Sequence, residues 1–155
     1  MILSDSQIKG LMEKGELSIK GFDEDNLTPN GYDLTIEEVA VEERKPQSKG
    51  HAVVPKGSWF AVSTKEYVEF PSNLAGELWI RTTWARKGVI SSFGMIDAGF
   101  EGTLTLSAFN SYQEVEIPIE DTFAQLVFHL LSEDSSKRYS ERSGNYQGQK
   151  GVTLD

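Results

Sequence analysis

After Gly15 no stretch of this chain repeats its apolar residues at helical spacing over the length of a helix. Its apolar runs are short, alternate in character and are separated by turn residues. "YDLTIEEVAV" alternates in its first half, and "WFAVSTKEYVEF" is rich in aromatic and β-branched residues. "ELWIRTT" sets Leu78 and Ile80 on one face and Trp79 and Arg81 on the other. In "TLTLSAF", Leu104, Leu106 and Ala108 share a face opposite Thr103, Thr105 and Ser107. "FAQLVFHLL" is apolar on both faces except for Gln125 and His129, which predicts a central, buried strand. Fourteen glycines and five prolines supply the turns such a chain needs. The predicted fold is therefore mainly β, a barrel or a sandwich.

The exception is a short helix at the start. Ser4 can cap it, Gln7 completes a capping box, and Ile8, Leu11 and Met12 fall on one face before Gly15 ends it. About ten residues cannot hold a helix in isolation, so this one is expected to lie on a sheet. The other end differs in kind. "SEDSSKRYSERSGNYQGQKGVTLD" is polar and glycine-bearing, and is expected to be mobile unless something orders it.

With 155 residues the chain has the length of one domain with a single modest core. A net charge of −9 argues against a protein that grips nucleic acid over a broad surface, because such binding rests on many lysines and arginines. It leaves room for a small anionic ligand, which needs only a local set of donors. Without a cysteine, disulfides and thiolate metal sites are excluded. No apolar run reaches membrane-spanning length and the first residues lack a secretory pattern, so the expected location is the cytoplasm.

Several residues carry candidate chemistry. In "IRTTWARKG", Arg81, Thr82 and Thr83 stand at a strand end, with Arg86 and Lys87 within the next turn. A guanidinium, hydroxyls and backbone amides in that compass suit phosphate oxygens, and equally describe a solvated strand end. Gln125, alone in "FAQLVF", must be hydrogen-bonded if buried, either to backbone or to a ligand. Asp33 in "NGYDL" and Asp97 in "GMIDAGF" can orient water, hold a hydroxyl or place a cation through its waters. An Asp before a glycine-containing turn also serves local turn chemistry. Arg138, Arg142 and Lys150, interleaved with Tyr139 and Tyr146, can close over an anion or belong to an ordinary polar tail. His51 and His129 stand far apart with no zinc-ligand spacing around them, so no protein-built metal cage is expected.

Taken together, "MILSDSQI", "PNGYDL", "IRTTWARKG", "GMIDAGFEGTLTL", "FAQLVF" and "GNYQGQKG" resemble the dCTP deaminase/dUTPase superfamily in order and spacing, over nearly the whole chain. The resemblance is closer to the deaminase branch than to typical trimeric dUTPases. It implies a distorted β-barrel (a dUTPase-like β-clip) over residues 1–131, with residues 132–155 a flexible arm closing over the active site. It also implies a homotrimer with active sites between subunits, a deoxynucleoside triphosphate substrate, and Mg²⁺ on its phosphates. By position, Arg81, Thr82, Thr83 and Arg86 fall in the phosphate-holding segment, where serines are more usual than threonines. Gln125 corresponds to a phosphate-chain contact and Asp33 to an aspartate near the metal's water shell. Asp97 corresponds to the aspartate at the 3′-hydroxyl, which in dUTPases also positions the attacking water. Phe100 corresponds to an aromatic under the deoxyribose. Arg142, Tyr146, Gln149 and Lys150 belong to the closing arm.

One slot departs from the deaminase pattern. Where those enzymes usually carry a glutamate, in a pattern like "TLE", this chain reads "TLS", with Ser107. Hydrolytic deamination needs a group that takes a proton from water and delivers one to the leaving ammonia, and a serine cannot do so unaided. Glu101, six residues earlier, is out of register to substitute. The expected activity is therefore dUTP diphosphatase. A dCTP deaminase, with or without that activity, and a deoxynucleotide-binding homologue without catalysis are the alternatives.

Overall fold

The computed structural model describes residues 1–154. At the N-terminus Ser4 and Gln7 form the predicted capping box, with Ser4 N–H donating to Gln7 Oε1 over 3.0 Å and Gln7 N–H to Ser4 Oγ over 3.4 Å. Helix α1, Asp5–Glu13, buries Ile8 completely and ends just before Gly15, whose φ of 71° suits glycine. The strands follow as β1 (Ser18–Lys20), β2 (Leu27–Thr28), β3 (Gly31–Val41), β4 (His51–Val54), β5 (Trp59–Thr64), β6 (Tyr67–Glu69) and β7 (Leu74–Ile80). After helix α2 (Thr82–Arg86) come β8 (Val89–Ser91), β9 (Met95–Ile96), β10 (Glu101–Gly102), β11 (Thr105–Asn110), β12 (Val115–Pro118), β13 (Thr122–Leu130) and helix α3 (Tyr139–Arg142). Among the described residues no helix is long and apolar enough to cross a membrane.

An eight-stranded sheet in the order β8-β11-β5-β3-β13-β7-β9, with β2 also on β3, curls into a half barrel. A β1-β6-β10 sheet and a β12-β4 ribbon complete the fold, which is mainly β as its sequence predicts. The run "FAQLVFHLL" forms the central strand β13, flanked by β3 and β7. Its Ala124, Leu126 and Phe128 are fully buried, while Phe123 meets Phe60, Trp84 and Phe93. Leu104, Leu106 and Ala108 point into the same continuous core, leaving Ser107 exposed.

Two details differ from the strand pattern. "ELWIRTT" does not run on as a strand: it ends at Ile80, and Arg81 becomes the N-cap of α2, so Thr82 and Thr83 are helical. The anchor is Trp84, buried against Phe123, whose indole N–H donates to the Thr122 carbonyl over 2.9 Å. In the same way "WFAVSTKEYVEF" breaks into β5 and β6 at Lys65 and Glu66. Gly31 is required where β3 crosses β13, because a Cβ there would stand 2.6 Å from the Leu126 carbonyl oxygen.

Candidate active site

The turn "IDAGFEG" is fixed by backbone bonds. Phe100 N–H donates to the Asp97 carbonyl over 3.1 Å, Gly99 N–H to Pro71, and Phe70 N–H to the Phe100 carbonyl. The Asp97 carboxylate makes none of these bonds and lines a cavity of about 450 Å³ beside Phe100, Thr105, Ser107, Tyr146 and Gln149. Phe100 is 5% exposed and meets the Tyr139 ring edge-on, with centroids 5.5 Å apart. An aromatic side chain and a carboxylate thus share one cavity wall. Ser107 stands opposite Ala61 on β5, so the neighbouring strand adds no acid at that level. Glu101, across from Glu69 on β6, is not part of the cavity wall.

The C-terminal segment is stitched along this turn. Tyr139 N–H donates to the Ala98 carbonyl over 3.1 Å and Gly148 N–H to that of Glu101 over 2.7 Å. Gln147 accepts from Glu101 N–H at 3.2 Å and donates to the Gly99 carbonyl at 3.4 Å. Thr103 N–H donates to the Gln149 carbonyl over 3.0 Å, and the Gln149 side-chain amide donates back to the Thr103 carbonyl over 2.8 Å. Gly102 permits the approach: its φ is 152°, and a Cβ would stand 2.9 Å from Phe100 Cζ and 3.3 Å from Gln149. Beyond it Thr105 Oγ1 donates to the Gly151 carbonyl, and Val152 N–H to Glu38. Gln149 therefore latches the arm while lining the cavity. Gln147, which acts beside it, had a signal in the sequence only as a second glutamine in "YQGQKG".

A second cluster lies on β3, β7 and β13. Asp33 faces Gln125 across β3 and β13, and Gln125 faces Trp79 across β13 and β7. Arg81 Nε donates to Asp33 Oδ2 over 2.8 Å, and the same guanidinium bonds Thr122 Oγ1. Gln125 Nε2 donates to Thr28 Oγ1 over 2.8 Å. Burial pushes the Asp33 carboxyl above the usual range, and Arg81 partly offsets this. Thr82, Thr83 and Arg86 are exposed on α2 next to this cluster.

Asp97, Phe100, Tyr146 and Gln149 are thus brought together, and Arg142 lines an adjoining cleft that shares Asp97. Arg81, Thr82, Thr83, Arg86, Asp33 and Gln125 are not part of that cavity's wall, and Lys150 borders a different cleft with Lys20 and Lys65. Among the described residues no group of three or more His, Cys, Asp or Glu could hold a metal ion. A Mg²⁺ ion carried on phosphates asks less of the protein, since it keeps several waters and takes one or two carboxylates. The Asp33 carboxylate, with one oxygen on Arg81 and 15% exposed, fits that lesser demand.

Comparison with known proteins bears on this arrangement. Residues 37–131 match the dCTP deaminase-like family model. A dCTP deaminase of Thermococcus sibiricus is 36% identical over 99% of this chain and 96% of its own length. A protein of Sulfolobus islandicus rod-shaped virus 1, named "Probable deoxyuridine 5'-triphosphate nucleotidohydrolase", is 34% identical over 99% of this chain and 98% of its own. The crystal structure of 2'-deoxycytidine 5'-triphosphate deaminase from Agrobacterium tumefaciens aligns with a TM-score of 0.72 at 17% identity. That alignment covers 83% of this chain but 47% of the Agrobacterium protein, and at this identity it speaks for the fold alone.

Proposed function

Because the chain belongs to the dCTP deaminase-like family, we propose that it hydrolyses dUTP to dUMP and pyrophosphate in the cytoplasm. The observation that carries this is the pair of neighbours on the cavity wall: Asp97, whose carboxylate takes no part in its own turn, and Ser107, where deamination would need an acid. The viral relative named a deoxyuridine triphosphate nucleotidohydrolase supports the same activity.

In this mechanism the deoxyribose packs on Phe100, where a flat ring leaves no room for a 2′-hydroxyl. Asp97 holds a water in line with the α-phosphorus and accepts its proton as the oxygen attacks. The new P–O bond forms as the bond from the α-phosphorus to the bridging oxygen breaks, and pyrophosphate departs with that oxygen. The residues contribute position and charge rather than covalent chemistry. Arg81, Gln125, Thr82, Thr83 and Arg86 bind the phosphate oxygens, joined by Arg142 and Lys150 as the arm closes, and Tyr146 and Gln149 shut the cavity. Asp33 would hold a Mg²⁺ ion through its waters, and that ion would supply neutralisation of phosphate charge.

The site is completed between subunits of a homotrimer. Two features support this. The phosphate-binding cluster and the Asp97 cavity are separate in one chain. An exposed apolar row, Trp59, Phe109 and Ile90, also runs across β5, β11 and β8, with Trp79 58% exposed beside Gln125. The name of the Thermococcus sibiricus relative favours a second activity, release of ammonia from dCTP, which at this site would require some residue other than Ser107 to move the protons. Incubation of the pure protein with dUTP and Mg²⁺ tests the proposal. Pyrophosphate release is expected, and its absence at micromolar enzyme rules the activity out.

A further inference from the structure

Asp33 sits on a strand that changes partners immediately after it. At Gly31 and Tyr32 one edge of β3 is paired with β2, and from Ile36 onward that edge is taken by β5. Thr35 falls in the gap. The turn between β5 and β6 fills it: Lys65 N–H donates to the Thr35 carbonyl, and Thr35 N–H donates to the Glu66 carboxylate, both over 2.9 Å. Glu66 is completely buried, and its other oxygen accepts the Tyr32 hydroxyl at 3.4 Å. That hydroxyl in turn accepts Asp23 N–H at 2.9 Å. None of the ion pairs among the described residues includes Glu66. Burial pushes its carboxyl above the ordinary glutamate range and the Tyr32 phenol up to about 12. A lone buried carboxylate is a costly way to satisfy one backbone N–H, so its place calls for a reason.

We propose that Glu66 is a positioning residue for the phosphate-binding face: by tying down Tyr32 and Thr35, which bracket Asp33, it fixes the carboxylate that holds Arg81. The geometric link from Glu66 to Arg81 stands by itself. Its consequence for substrate rests on the reading of Arg81 as a phosphate ligand. Gly31, pressed against the Leu126 carbonyl, secures one side of this stretch against β13, and Glu66 secures the other.

The test follows the Arg81 Nε–H, which is bonded to Asp33 in the wild type. Glu66→Gln keeps an acceptor for Thr35 but reverses the Tyr32 bond. It is expected to speed exchange of the Arg81 Nε proton, measured by NMR, by about tenfold, and to weaken binding of tripolyphosphate with Mg²⁺ by a similar factor. Tyr32→Phe should move both in the same direction by less, and it carries the test if Glu66→Gln does not fold. Ile8→Ala, a core deletion in α1, serves as control. A lower melting temperature in that variant with Arg81 exchange unchanged supports a specific link. Unchanged exchange in the Glu66 and Tyr32 variants, or equal acceleration in Ile8→Ala, overturns it. If exchange responds as expected but wild type binds no tripolyphosphate, the positioning stands and the phosphate assignment of Arg81 falls.

Discussion

Arg81 Nε lies 2.8 Å from Asp33 Oδ2, so the two residues that the sequence points to separately, as phosphate ligand and metal neighbour, hold each other. The pairing is part-buried, with Asp33 15% and Arg81 33% exposed. It orients the guanidinium before any substrate arrives. It also keeps one Asp33 oxygen occupied, which leaves the other for water. An arginine ordered in this way loses less freedom on meeting an anion than a free one would.

Asp97→Asn is expected to abolish pyrophosphate release while nucleotide binding stays measurable by calorimetry. The amide is nearly isosteric but does not accept the proton of the attacking water. A rate within about tenfold of wild type would leave the water without its assigned base, because general-base groups typically contribute a hundredfold or more.

Mixing two inactive variants tests whether the site is shared. If Arg81 comes from one subunit and Asp97 from another, Arg81→Ala and Asp97→Asn subunits exchanged at equal amounts should regain activity in about a quarter of the sites, half of a half. Light scattering should give the mass of three chains. No recovery after verified exchange would place both residues' contributions in one chain.

Much of this was legible in the sequence. Alternation around Leu104, Leu106 and Ala108 marked the strand that exposes Ser107, and a run apolar on both faces except at Gln125 and His129 marked β13 as central. The capping box marked α1. The short helix at Thr82 was not visible, since five residues carry no periodic signal and its anchor, Trp84, depends on a contact with Phe123 far along the chain. Glu66 was hidden for a similar reason. In "STKEY" it reads as a surface charge, and only the change of partner along β3 explains its burial. The arm's attachment rests on backbone bonds to residues 98–103 and on Gln147 and Gln149 side chains that bond the same backbone, partners that side-chain pattern does not encode.

Gly102→Ala is expected to loosen the arm. The added Cβ would meet Phe100 and Gln149 at a φ of 152°, costing about 1 kcal/mol or more. Tryptic cleavage at Arg138 and Arg142 should accelerate, and KM should rise more than kcat falls. Cleavage at the wild-type rate would mean that the Gln149 latch does not hold the arm down.

Ser107→Glu places a carboxylate on the exposed face of β11, opposite Ala61, where there is room for it. This variant is expected to release ammonia from dCTP faster than wild type. An unchanged rate would show that the missing acid at position 107 is not what limits deamination.

The most direct measurement is a product assay with dUTP and dCTP in parallel, under Mg²⁺ and at equal enzyme, following pyrophosphate and ammonia together. With a water-positioning Asp97 and no acid on the strand beyond it, pyrophosphate should appear from dUTP and no ammonia from dCTP. Ammonia from dCTP without pyrophosphate from dUTP would contradict it.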